Sequence, residues 1–137
     1  MYERILAAVD QSQIAERVLA AAKELATLCN GEVYILHVWE AEPAQSRSGK
    51  APSYQDACIM VEMAEQDLAR AGIRAKGEVA PNLYSNAARE ITWRAQAHNV
   101  DAIVIGSRRR SDLTALIAGS TAHKVLHMAD RPVVVVP

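Results

Sequence analysis

VDAIVIGSRRRSDLTALIAGST, residues Val100–Thr121, decides how this chain is read. Its apolar run, Ala102–Ile105, is too short for a typical helix and rich in β-branched side chains, which marks a buried strand. Gly106 stops that strand, and a polar, basic segment, Ser107–Asp112, follows. Gly119, Ser120 and Thr121 then lead into a helical pattern. A strand ending in glycine, a basic loop and a helix entered through Gly-Ser-Thr together describe an anion site. Glycine lets a ligand approach the backbone. Hydroxyls, free N–H groups and the positive end of a helix all favour phosphate.

Working outward, the same alternation fills the chain. Ile5–Val9 is an apolar strand with Asp10 at its end, and Ser12 is placed to cap the helix that follows. Ile14, Val18, Ala22, Leu25 and Cys29 recur at helical spacing until Asn30-Gly31 stops the helix. Glu32–Val38 is a second strand, with His37 as a hydrogen-bonded core residue. Trp39–Ser53 loses all periodicity and reads as a loop. The capping-box pattern Ser53-x-x-Asp56 opens a helix that buries Ala57, Met60, Val61, Ala64 and Leu68 and ends at Gly72. Ile73–Ala80 is a less apolar third strand, suited to a sheet edge. A helix over about residues 85–98 turns Ala87, Ala88, Ile91 and Ala95 inward, and the periodicity leaves Trp93 unplaced. The last helix buries Leu116, Ala122, Val125, Leu126 and Ala129, and Pro132–Val136 is the fifth strand. Strands alternating with helices imply an α/β fold with parallel pairing through right-handed crossovers.

The totals narrow the function classes. The 137 residues fit one domain, 1–137, and half are hydrophobic. Fifteen basic against sixteen acidic residues give a net charge of -1, which argues against nucleic-acid binding. No apolar run approaches the ~20 residues of a membrane span, and MYERILAAVD lacks a signal-peptide core. Cys29 and Cys58 match no CxxC pattern and read as free thiols, which places the protein in the cytoplasm.

Four segments carry a family likeness: ILAAVDQS at the start, EVYILHV, the stretch Gly106–Ser120, and DRPVVVVP at the end. With them the chain resembles the universal stress protein family. The nucleotide-binding branch carries glycine, two residues, glycine, nine residues, glycine, then serine or threonine. Gly106, Gly119 and Ser120 stand at that spacing, with Arg109 at the middle position. The resemblance implies a Rossmann-like sheet of the adenine nucleotide alpha hydrolase type, in strand order 3-2-1-4-5 with helices on both faces. The switch of that order lies between strands 1 and 4, where open α/β sheets bind ligands.

The resemblance also implies an adenine nucleotide (ATP, ADP or AMP, with or without magnesium) held by Asp10, Val38, Gly106, Arg108, Arg109, Gly119, Ser120 and Thr121. Asp10 would meet the ribose; its alternative role is a turn aspartate beside Ser12. The Val38 backbone would lie near the adenine, or the residue is an ordinary buried valine. Gly106, Gly119, Ser120 and Thr121 would cradle phosphate, or the glycines merely end a strand and enter a helix. Three readings stand for Arg109: strain and obstruction where glycine is usual, a fork of donors to phosphate, or a solvated basic loop. His123 and His127 share a helix face at metal-ligand spacing, but with no glutamate or cysteine partner nearby in the sequence the pattern reads as a solvated face rather than a metal site. No catalytic constellation is visible, and the family analogy extends at most to weak ATP hydrolysis. The resemblance further implies a homodimer through Pro132–Pro137, against a monomer whose edge is shielded by Arg131 or by loops. A dimeric interaction module that binds no nucleotide is the competing function.

Overall fold

A computed structural model describes residues 2–39, 53–82, 86–107 and 121–137. Within them five parallel strands form one sheet in the order β3-β2-β1-β4-β5. The strands are β1 (Arg4–Ala8), β2 (Glu32–Trp39), β3 (Ala75–Pro81), β4 (Ala102–Gly106) and β5 (Val133–Val136). The helices are α1 (Ile14–Cys29), α2 (Tyr54–Arg70), α3 (Ala87–Ala97) and α4 (Thr121–Met128).

Side-chain alternation along each strand assigns the helices to faces. Ile5, Ala7 and Val9 of the β1 segment and Val33 and Ile35 of β2 pack with α1 and α2. Leu6, Ala8, Leu36, Ile103 and Ile105 point the other way, against α3 and α4. Both faces of β1 and β4 are therefore covered, which is why these strands read as unbroken apolar runs. Close approach is built in at β3. A Cβ on Gly77 would stand 2.1 Å from Val61 Cγ1, so α2 can lie directly on this strand only because position 77 has no side chain.

The punctuation is chemical. Asn30 takes a left-handed conformation (φ 53°) and its N–H bonds the Ala26 carbonyl, which ends α1. Ser53 and Asp56 exchange both capping-box hydrogen bonds at 3.0 and 3.3 Å. Gly72, at φ 81°, lets the chain leave α2.

Three sequence expectations are corrected. Ser12 does not cap α1; Gln13 holds the cap position without a side-chain bond, because the Ser12 hydroxyl turns back to Asp10. Leu126 is 51% exposed rather than buried. It neighbours Val125, which alone of the two sits at the centre of the α4 stripe. Leu116 and the start expected for α3 at residue 85 lie outside the described residues, and β3 begins at Ala75 rather than at residue 73. Trp93 is 61% exposed, with the Arg94 guanidinium 5.5 Å from its ring centroid.

Candidate functional site

Parallel pairing brings the carboxyl ends of β1, β2 and β4 level. Ala8 pairs with Leu36 on one side and Ile105 on the other, and the Val9 N–H continues the ladder to the Leu36 carbonyl at 2.9 Å. The connection after β1 runs to β2 on one side and the connection after β4 runs to β5 on the other, so the tips of β1 and β4 open a crevice. A cavity of about 540 Å³ occupies it, within the ordinary size of a small-molecule site.

Four expected site residues meet at this cavity: Asp10, Val38, Gly106 and Thr121. Asp10 follows β1, Val38 stands near the end of β2, Gly106 ends β4 and Thr121 opens α4. Residues separated by up to 111 positions are thereby gathered by topology alone. Arg108, Arg109, Gly119 and Ser120 lie outside the described residues.

The Asp10 carboxylate is oriented. Its Oδ1 accepts the Ser12 N–H at 2.8 Å and also the Ser12 hydroxyl. Such a side-chain turn fixes the carboxylate's direction as the chain leaves β1. Beside it, His37 is buried, and its Nδ1–H donates to the Val9 carbonyl at 2.9 Å. That bond holds the tips of β1 and β2 together beyond the end of the ladder.

Gly106 has a steric role of its own. A Cβ there would stand 2.9 Å from Ile14 Cγ2, so the absent side chain lets the first turn of α1 press onto the end of β4. Ile14 lines the same cavity. The packing of α1 and the wall of the cavity thus draw on one glycine.

Among the lining residues that sequence reasoning did not name for the site, two stand at strand tips. Ser107 is buried, lines the cavity, and donates its N–H to the Val136 carbonyl at 2.9 Å. Trp39 lines it from the end of β2. Both directly follow residues that had been singled out, so extending each strand tip by one residue would have found them. No group of three or more His, Cys, Asp or Glu among the described residues is arranged to hold a metal ion. The rings of His123 and His127 meet edge to face, 4.8 Å apart.

A family model described as the universal stress protein family matches residues 1–137. The chain belongs to the universal stress protein family. This universal stress protein is 30% identical over 152 aligned positions to universal stress protein YxiE of Bacillus subtilis, covering 99% of each. It also resembles the solved structure of the universal stress protein from Archaeoglobus fulgidus in complex with dAMP. That likeness has a TM-score of 0.73 at 26% identity, over 99% of this chain and 98% of the other. UspA from Lactobacillus plantarum shares the fold at TM-score 0.79 and 20% identity, over 99% of this chain and 98% of that one. No helix among the described residues of this universal stress protein is long and apolar enough to cross a membrane.

Proposed function

We propose that this universal stress protein binds an adenine nucleotide in the crevice and acts as a cytoplasmic, homodimeric regulatory module. One observation carries the reading: Asp10, Val38, Gly106 and Thr121 line a single cavity at the switch point of the sheet. A relative 26% identical to this chain was solved with dAMP, which supports an adenine nucleotide as the occupant.

In this reading the Asp10 carboxylate accepts from the ribose hydroxyls and the Val38 backbone faces the adenine. Gly106 and Thr121 border the phosphates, joined by Gly119 and Ser120 of the family motif. The N-terminal end of α4 adds positive potential on that side. Asp10 is the carboxylate among the cavity's described lining residues, so magnesium would be held chiefly by the phosphates of ATP with at most this one protein oxygen.

The dimer reading rests on β5. This strand is outermost in the sheet, and Val134 is 42% exposed. Arg131 does not shield the edge; its guanidinium donates to the Ala95 and Val100 carbonyls at 3.0 and 2.8 Å. Pairing with the same strand of a second copy satisfies the edge under a two-fold axis.

Crystals soaked with AMP test the site. The base is expected beside Val38 and the ribose at Asp10. Density confined to another part of the molecule would remove the assignment.

A further inference from the structure

Trp39 is the last residue of β2, directly after Val38, and it borders the crevice. It is braced twice. Its carbonyl accepts the Asn82 N–H at 3.1 Å, which holds the backbone where β2 ends. Its ring meets Tyr54 edge-on, with centroids 5.4 Å apart and planes at 81°. Tyr54 is the first residue of α2, and the Cys58 thiol one turn on pushes its phenol above the ordinary range. An aromatic side chain held in place before a ligand arrives loses little further freedom on binding. The protein's other tryptophan, Trp93, is not among the cavity's lining residues.

We propose that Trp39 selects the base of the bound nucleotide: its indole stacks on the base and favours a purine over a pyrimidine. The proposal rests on the nucleotide reading above and adds a side chain that discriminates among nucleotides. Stacking strength follows ring overlap, and a two-ring base covers more of an indole than a one-ring base does. Loss of one aromatic stacking partner weakens nucleic-acid ligands by about tenfold or more. Backbone contacts at Val38 carry no such preference for ring size.

The experiment uses the full chain with Trp93→Phe, which leaves Trp39 as the single tryptophan reporter. AMP and CMP are titrated in parallel by calorimetry and by tryptophan emission. AMP is expected to release heat, to change the emission of Trp39, and to bind more tightly than CMP. Trp39→Leu should weaken AMP about tenfold and bring the two affinities together, whereas Trp39→Phe should keep most of the preference. If Trp39→Leu fails to fold, the emission change of Trp39 on AMP binding still decides. AMP heat with unchanged emission, or an unchanged AMP-to-CMP ratio in folded Trp39→Leu, would reduce Trp39 to a packing residue and overturn this proposal alone. No heat with either nucleotide would overturn both it and the nucleotide reading.

Discussion

Asp10 and Ser12 close a turn at the mouth of the crevice, with Asp10 Oδ1 accepting both the N–H and the hydroxyl of Ser12. The turn and the proposed ribose contact use one carboxylate, so the two roles separate by substitution. Asp10→Ala should weaken AMP binding about tenfold and cost about 1 kcal/mol of stability from the lost turn. Ser12→Ala should cost comparable stability while weakening AMP less. Calorimetry beside urea unfolding reads both effects. Unchanged AMP affinity in Asp10→Ala would leave the carboxylate a turn-former only.

Gly106 should tolerate no side chain while Ile14 is present. The three atoms nearest to an added Cβ all belong to Ile14, a β-branched side chain with little freedom to move aside. Gly106→Ala is expected to destabilise the protein by about 1–3 kcal/mol. In an Ile14→Ala background the same substitution should cost much less. A double-mutant cycle in urea measures the coupling, and additive effects would refute it.

Away from the crevice, Glu78 of β3 is joined by the Tyr34 hydroxyl and by Arg94, which also binds buried Glu90 at 3.1 Å. Burial pushes the Glu78 carboxyl up, but the hydrogen bonds from Tyr34 and Arg94 and the Arg94 charge outweigh it and hold the group below its ordinary range. A lowered folded-state pKa stabilises above the unfolded value and is lost as pH falls through the folded one. Glu78→Gln should therefore destabilise most at neutral pH, and the gap to wild type should narrow as pH drops below about 4.3. Urea unfolding across that range checks it; a gap that stays constant would contradict the sign.

The fold was legible because its signals are local. Val33–Leu36 and Ala102–Ile105 announce buried strands by composition, and Asn30, Ser53 with Asp56, and Gly72 mark helix ends by chemistry that acts within a few residues. What escaped the sequence depends on contacts made across the chain. The Tyr34–Glu78 bond spans 44 residues and needs the β2–β3 register. The contact of Gly106 with Ile14 needs α1 to return over β4. Ser12 was misread because its hydroxyl had two local partners to choose from, the helix start and Asp10, and periodicity does not rank them. The middle of the motif, with Arg109, falls outside the described residues, so its three readings stand where the sequence left them.

The outer edge of β5 gives a prediction about assembly. Light scattering at micromolar concentration should return a dimer mass, and Val134→Lys with Val136→Lys should return a monomer, since edge valines that the dimer would bury become charged. A wild-type monomer would refute the dimer, and a dimer that survives both lysines would move the interface elsewhere.

The central claim is that the crevice between the tips of β1 and β4 takes an adenine nucleotide. Isothermal calorimetry on ligand-free wild-type protein tests it most directly. The account predicts saturable heat with AMP, ADP or ATP at one site per chain, weakened by Asp10→Ala. No heat with any of the three at millimolar concentration would contradict it.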